Sequence, residues 1–226
     1  MPDNKRLVWD EDSKRFYETG CDRGVFYPKT GTSYGTGEAW DGLISVTKSP
    51  SGAEATPLWA GNRKYGNLYS AEEFGFSLEC YTYPEGFNAS LGIKEVAAGV
   101  YVGQQTHEPF GMAYRNFVGN DAGGVKADYI ITLIYGATAA PAEETDTTIN
   151  DSPEAKTMSY ECTTTPVDVA KCDPTSKLEI DSRKTDPAKL KQLEDILYGS
   201  ETAAARLPLP DEVITLIGAI TGGEGA

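Results

Sequence analysis

The sequence has few basic residues, one histidine and no long apolar segment. Of its 226 residues, 20 are Lys or Arg and 34 are Asp or Glu, which gives a formal net charge of −14. Binding to nucleic acid through phosphates depends on clustered Lys and Arg, and no such stripe is present. The longest largely apolar stretches, Tyr129–Tyr135 and Val213–Ile220, are far shorter than the ~20 residues that span a bilayer. Met1–Asp12 lacks the apolar core of a secretory signal, so we expect a protein that stays in the compartment where it is made.

The cysteines are few and scattered, which argues against both a disulfide framework and a metal centre. None belongs to a CxxC pair, and a zinc site needs clustered ligands. Their positions are Cys21, Cys80, Cys162 and Cys172. We expect four free thiols, two of them (Cys80 and Cys162) within strands, and neither a metal nor a cofactor.

No group of residues in the sequence points to catalysis. His107 and Asp121 lack the nucleophile elbow that would complete a hydrolase triad. The acid pair Glu79 and Glu161 has the residue types of a glycosidase, but a chain with 34 acids always offers such a pair. We therefore predict no catalytic residue and expect that the protein is not an enzyme.

Short segments of alternating apolar and polar residues predict a mainly β protein. In Phe74–Tyr83 the aromatic and aliphatic side chains share one face with Cys80, and Glu79 lies on the other. Val125–Tyr135 is the clearest strand, with one apolar face throughout and a second face that becomes apolar towards its end. Further predicted strands are Trp40–Thr47, in which Trp40 points inward and Ile44 shares its face, and Gly99–Gly103, Met112–Val118, Thr157–Thr164 and Leu178–Ile180.

Helical signals are rare and lie mostly near the C-terminal end. Asp186 at the N-cap, Pro187 at the first helical position and Gly199 after the last predict a helix over Pro187–Tyr198. Weaker signals predict a short helix between Tyr83 and Ala89, another over Asp211–Ile217, and a loose tail over Gly218–Ala226. We divide the chain into a β-core, residues 1–170, and a small partly helical C-terminal extension, residues 171–226.

Long polar segments interrupt the predicted strands. They are Tyr27–Glu38, Thr47–Asn67 and Ala137–Pro153. Loops longer than ~12 residues in a compact domain are commonly functional. Three of them on one small β-core predict contact surfaces for partner subunits.

A series of short phrases carries a family resemblance and runs in order along roughly residues 20–200. The phrases are Gly42–Thr47 with Ser49-Pro50, Tyr65–Leu68, Tyr81–Phe87, Val102–Gln105, Phe110–Asn116, Leu133–Gly136, Thr147–Ala155, Thr163–Val167, Glu179–Ser182 and Leu197–Gly199. Together they resemble the major tail protein, or tail tube protein, of long non-contractile-tailed phages of Gram-positive bacteria.

The resemblance implies a β-sandwich or half-barrel tail-tube fold with a flanking helix. In such families six copies form a ring, and each lends strands to a continuous inner barrel. The rings stack into a tube through which double-stranded DNA passes during ejection, and long loops bridge adjacent rings. The implied partners are other copies of the chain and other tail proteins (tape measure, tail terminator and distal tail). The implied location is the virion tail, after assembly in the host cytoplasm.

The acidic net charge agrees with a channel that does not bind the DNA passing through it, so we predict a net negative lumen. Glu79 and Asp128, on polar faces of predicted strands, are the candidates for lumen-facing acids. Two other classes stay open at this point. One is a monomeric β-sandwich carbohydrate-binding module that would use Trp9, Trp40 or Trp59, and the other is a glycosidase that would use an acid pair.

Overall fold

A computed structural model describes residues 6–12, 14–149, 151–152 and 154–218. This part of the chain is mainly β, with seventeen strands and three short helices. The strands are β1 Phe16–Thr30, β2 Ser33–Tyr34, β3 Glu38–Ala39, β4 Leu43–Lys48, β5 Ser51–Gly52, β6 Ala55–Ala60, β7 Arg63–Tyr69, β8 Glu72–Glu73, β9 Gly75–Cys80, β10 Lys94–Ala97, β11 Val100–Val102, β12 Phe110–Asn120, β13 Gly124–Ala139, β14 Met158–Thr164, β15 Val167–Val169, β16 Cys172–Thr175 and β17 Lys177–Asp181. The helices are α1 Phe87–Ser90, α2 Pro187–Tyr198 and α3 Pro210–Ile217.

Nine strands form one large antiparallel sheet. Its order is β2–β1–β12–β13–β14–β9–β4, with β3 beside β1 and β17 beside the middle of β13. Strand β13 changes partner along its length, because residues 130–134 pair with β17 and residues 137–139 pair with β14. The sequence-based prediction of a mainly β, sandwich-like fold is confirmed.

Successive residues of the central strands point alternately into two separate apolar cores. On β12, Met112 enters the first core and Ala113 enters the second; on β13, Ile134 enters the first and Leu133 the second. The first core also contains side chains of β9 and β14, whereas α2 and α3 contribute to the second. This two-sided burial explains why β13 is apolar on both faces in its later half.

One glycine shifts this alternation within β13. Tyr135 still belongs to the second core, but Ala137 and Ala139 both belong to the first. Gly136 between them has φ +60°, a left-handed conformation that glycine adopts without steric cost. Its position allows β13 to leave the helix-covered side of the sheet and continue towards β14.

The first core is centred on the aromatic ring of Phe87 in α1. Phe87 is fully buried, and its ring centroid lies 4.8 Å from that of Trp40, 5.3 Å from Phe110 and 5.5 Å from Tyr160. The edge-to-face geometry of the contacts with Phe110 and Tyr160 is favourable for aromatic pairs. The short helix predicted between Tyr83 and Ala89 is thus present in a shorter form.

Helix α2 has the bounds that its capping residues predict. The Asp186 side chain accepts hydrogen bonds from the backbone N–H groups of Ala188 and Lys189, at 2.9 and 3.2 Å. These bonds satisfy donors that the first helical turn leaves unpaired. Three leucines of the helix, Leu190, Leu193 and Leu197, are buried in the second core.

Two strand predictions need correction. Ile44 is partly exposed, because the register between β4 and β9 shifts between Leu43 and Ser45 and turns Ile44 out of the alternation. At the start of β13, Val125 is also exposed, since this end of the strand extends beyond the residues that α2 covers. The predicted apolar face of Val125–Tyr135 is therefore buried only in its later half.

The long polar segments contain more regular structure than predicted. Thr47–Asn67 is occupied largely by strands β5 to β7, and Tyr27–Glu38 by the end of β1, by β2 and by the start of β3. In Ala137–Pro153, β13 continues to Ala139, and residues 140–149 follow without helix or strand. Pro153 lies outside the described residues.

The C-terminal residues pack against the large sheet. Strand β17 pairs with β13, and α3 contributes Val213 to the second core. The boundary at residues 170 and 171 falls in the turn between β15 and β16. The division into two parts stays a prediction, and the tail from residue 219 onward lies outside the described residues. No helix within residues 6–218, apart from the three gaps given above, is long and apolar enough to cross a membrane.

Candidate assembly surfaces

Residues 51–73 form one long, interrupted β-hairpin that is exposed almost throughout, and we call it the arm. Strands β6 and β7 pair with each other, and β5 pairs with β8. Gly61 and Asn62 form the two-residue turn at the tip, and both have positive φ, at 56° and 60°. This geometry matches the twist of a hairpin. The two-residue turn signal Gly-Asn is visible in the sequence, and it could have revealed the hairpin.

The arm exposes large apolar side chains on both of its faces. The exposed residues are Leu58, Trp59, Tyr65, Leu68 and Tyr69, of which Tyr65 is 79% exposed and Trp59 68%. A hairpin alone in water is only marginally stable, and clustered exposed apolar groups mark interaction sites. The arm therefore has the properties of a segment that is covered in an assembly.

Charge is distributed unevenly along the arm. Its base carries the acids Glu54, Glu72 and Glu73, whereas Arg63 and Lys64 lie directly after the turn at the tip. The tip is thus a basic and aromatic element on a chain whose net charge is −14.

A second exposed hairpin, β10–β11, stands beside helix α1. Four of its apolar residues, Val96, Val100, Tyr101 and Val102, are between 42% and 59% exposed. A groove of about 280 Å³ separates this hairpin from α1 and is lined by residues of both. We call it the α1 groove. The sequence indicates a strand near Gly99–Gly103, which β11 confirms, but nothing in the sequence predicts the groove.

Strands β4, β9 and β14 present a hydrophilic outer face opposite the first core. The side chains on this face are short hydroxyls and two carboxylates: Ser45, Thr47, Ser77, Glu79, Ser159, Glu161 and Thr163. They alternate with buried residues such as Leu78 and Tyr160. The Glu79 carboxylate accepts a hydrogen bond from the Ser45 hydroxyl at 2.9 Å. We call this surface the polar face; no Lys or Arg of these strands belongs to it.

The structure does not bring the two lumen candidates onto one surface. Glu79 lies on the polar face, directed away from the first core. Asp128 is half-buried in β13, on the same side of the strand as Ile134, which belongs to the first core. Its Oδ1 is 3.5 Å from the hydroxyl of Ser182. Whether either acid faces a lumen stays a prediction.

An ion pair links the three strands of the β1–β12–β13 ribbon where they are part-buried. Arg115 donates to both carboxylate oxygens of Asp22 at 2.8 and 2.7 Å, and its guanidinium lies 4.9 Å from the ring centre of Phe117 and 4.8 Å from that of Tyr129. Hydrogen bonding to Asp22 raises the pKa of Arg115. This contact connects β1, β12 and β13 beside helix α2, whose Glu194 and Tyr198 act electrostatically on Arg115.

Among the residues considered for enzymatic or sugar-binding roles, Glu79 and Glu161 are diagonal neighbours on the paired strands β9 and β14, whereas His107 lies elsewhere. His107 contacts the backbone carbonyl of Ala139 through Nδ1 at 3.0 Å, which attaches its loop to β13. Glu79 and Glu161 lie on the exposed polar face, and neither the α1 groove nor a larger groove beside Arg23 and Tyr198 is lined by them.

The tryptophans lie in three different environments. Trp40 is buried and donates its indole N–H to the Thr82 carbonyl, as its strand pattern predicted, while Trp9 and Trp59 are exposed on separate segments. They form no common platform.

All four cysteines are free thiols. Cys80 and Cys162 are buried in β9 and β14, as predicted. Burial raises the pKa of the Cys162 thiol to about 12, and burial together with the nearby Asp22 raises that of Cys21 to about 11. Both are therefore protonated and weakly nucleophilic at neutral pH. Among the described residues no three His, Cys, Asp or Glu side chains are grouped as metal ligands.

Comparisons with known proteins add little to these surfaces. No protein-family model matches the chain, and no curated protein matches it. Among solved structures, a chain of the cryo-EM structure of the anti-feeding prophage (AFP) baseplate aligns with 77% of this chain and 97% of that chain. The two chains are 10% identical, and the TM-score is 0.38. A TM-score below 0.5 does not show a shared fold, so functional assignment depends on the surfaces themselves.

Proposed function

We propose that the chain is a non-enzymatic structural subunit of a phage tail tube, in which six copies form a ring and rings stack into a tube. The observation that carries the proposal is the arm. It exposes apolar side chains on both faces, and its strands pair with one another and not with the large sheet. Such a segment is explained by coverage from another subunit. The ordered series of family phrases between residues 20 and 200 supports the same assignment.

The polar face supports a role as the wall of a DNA channel. Duplex DNA carries about one negative charge per 1.7 Å of its axis, and Lys or Arg on the wall would bind it. A wall of hydroxyls and carboxylates instead leaves the DNA separated by water, with repulsion screened over roughly 8–10 Å. Glu79 is our candidate for a lumen-facing acid on the polar face. Asp128 is our candidate in any part of the lumen wall that strands β1, β12 and β13 form.

The remaining parts of the proposal concern partners and location. The ring partners are further copies of this chain, whose free strand edges would pair between subunits and so remove the exposed edges of the sheet. Other tail proteins, such as the tape measure, tail terminator and distal tail proteins, would contact the tube along its inside and at its ends. The subunit would assemble in the bacterial cytoplasm and function in the virion tail.

Removal of the arm tests the proposal directly. The Ser49 N–H donates to the Gly75 carbonyl at 2.8 Å, so the two ends of the arm are close enough for a short link. We expect concentrated wild-type protein to form rings and tubes in negative-stain microscopy. A variant in which Asn-Gly replaces residues 51–73 should keep the circular dichroism spectrum of a β protein but form no stacked tubes.

Two outcomes would contradict the proposal. If the variant without the arm forms normal tubes, the arm is not the contact between rings. If the wild-type protein stays monomeric at every concentration and binds immobilised glycans, the carbohydrate-binding alternative replaces the tube subunit.

A further inference from the structure

The arm tip is not covered by its own β-core. About thirteen residues separate the end of β4 at Lys48 from the turn at Gly61. At ~3.3 Å per residue, an extended segment of this length reaches roughly 40 Å. All residues of β6 are exposed, so the core of the same chain does not shield the tip. The surface that covers the tip therefore belongs to another molecule.

The chemistry of the tip defines the surface that it fits. Arg63 and Lys64 are the sole charged residues between Ala55 and Ala71, and they adjoin Trp59 and Tyr65. Arg and aromatic residues are the types that most often dominate binding energy at protein interfaces. A complementary surface needs carboxylates for the two cations and an apolar recess for an aromatic ring.

The α1 groove offers both features. Its lining includes Ile93, Ala89 and Tyr101 as apolar surface and Glu85 and Glu95 as carboxylates, together with one cation, Lys94.

Two further glutamates lie at the margins of this groove. Glu38 accepts a hydrogen bond from the Gly86 backbone N–H at 3.0 Å, and the Glu108 backbone N–H donates to the Ala89 carbonyl at 3.1 Å. With four glutamates and one lysine, the surroundings of the groove are acidic. The exposed β10–β11 hairpin extends the apolar part of the surface.

We propose that the arm tip of one copy docks into the α1 groove of a second copy in the adjacent ring. Arg63 and Lys64 pair with the groove carboxylates, and Trp59 or Tyr65 enters the recess between α1 and the hairpin. This inference rests on the proposed tube function and names the receiving site for the arm. Charge pairs at such an interface set the register and exclude wrong partners more than they add affinity.

Charge reversal on each side, followed by their combination, tests this docking. The double variant Arg63→Glu with Lys64→Glu places like charges against the groove, and we expect it to raise the protein concentration needed for tubes at least tenfold. Glu85→Lys with Glu95→Lys should have a similar effect. The quadruple variant should restore assembly to near the wild-type concentration. The matched control reverses Lys171 and Lys184, which are exposed residues outside the arm and the groove.

Cysteine cross-linking identifies the contact independently of its strength. In a Cys172→Ser background, one subunit carries Tyr65→Cys and another carries Lys94→Cys, and the two are mixed before oxidation. We expect a disulfide-linked dimer between the two subunits. We expect no such dimer when Lys184→Cys replaces Lys94→Cys.

The outcomes separate this inference from the proposed function. Normal tubes from the reversed-tip variant, or quadruple variants that do not regain assembly, would overturn the α1 groove as the receiving site and leave the tube subunit in place. Wild-type protein that forms neither rings nor tubes would overturn the tube function, and the docking inference with it.

Discussion

Replacing Phe87 with alanine should remove a large part of the stability of the first core. Phe87 is fully buried and contacts Trp40, Phe110 and Tyr160 with ring-centroid distances of 4.8 to 5.5 Å. Phe87 is the large buried side chain of α1, which is otherwise attached through the Gly86–Glu38 and Glu108–Ala89 hydrogen bonds. The change leaves a cavity surrounded by rigid rings, which cannot collapse easily to fill it.

The expected loss follows from measured costs of such substitutions. A buried Phe→Ala change typically costs about 3–5 kcal/mol. Unfolding free energies of whole proteins are only about 5–15 kcal/mol. For a chain of this size each kcal/mol corresponds to roughly 2–4 °C in Tm, so Tm should fall by roughly 6–20 °C.

Urea unfolding in the variant that lacks residues 51–73 provides the assay. Stacking of rings does not add to stability in that background, and the loss of Trp59 leaves Trp40 as the buried fluorescent reporter. Tyr81→Ala is the control, because Tyr81 is 52% exposed and should change stability by no more than about 0.5 kcal/mol. If Phe87→Ala costs less than about 1 kcal/mol with an unchanged m-value, Phe87 is not central to the core.

Three further predictions concern helix α2, the stability at low pH and the lumen. Asp186→Ala should lower the unfolding free energy by about 0.5–2 kcal/mol in the same urea assay, whereas Asp186→Asn keeps a capping oxygen and should cost much less. The hydrogen-bonded Arg183 lowers the pKa of Asp181, so the carboxylate stabilises the fold above its usual pKa and this contribution is lost as the pH falls through the lower value. Asp181→Asn should therefore flatten the decline in stability below about pH 4, and an unchanged slope would contradict this. Glu79→Lys in assembled particles should slow DNA ejection in low salt, and the ejection rate should recover in high salt. The control Glu201→Lys, at an exposed position, should leave the ejection rate unchanged. Equal ejection rates for the two variants would contradict the placement of Glu79 in the lumen.

The parts of the fold with strong local signals were predictable from sequence. Helix α2 has its predicted bounds, since Asp186, Pro187 and Gly199 determine its ends without help from the rest of the chain. Strand β14 was also located to within one residue. The face of Ile44 was wrong because a bulge depends on the register between two strands, which no single segment contains.

The assembly surfaces were only partly predictable for a related reason. The sequence indicated that Thr47–Asn67 is a contact segment, but it did not show a hairpin, since β6 contains Pro57 and the arm carries apolar side chains on both faces. Apolar and polar residues alternate along a strand when one of its faces is buried against the same chain and the other faces solvent, which is not the case in the arm. The α1 groove combines residues from α1, β10 and β11, so it exists only after these elements have packed.

Strand β13 has a consequence for how the subunit withstands force. Its continuous backbone carries Leu133 into one core and Ile134 into the other, and Gly136 redirects it towards β14. Neither core can therefore be pulled open without disturbing the other, and the body of the subunit should respond to tension as a single mechanical unit. The arm has no share in either core, so it can detach and re-attach without unfolding the subunit. In the proposed tube, a misplaced subunit would then be able to dissociate in its folded form and be used again.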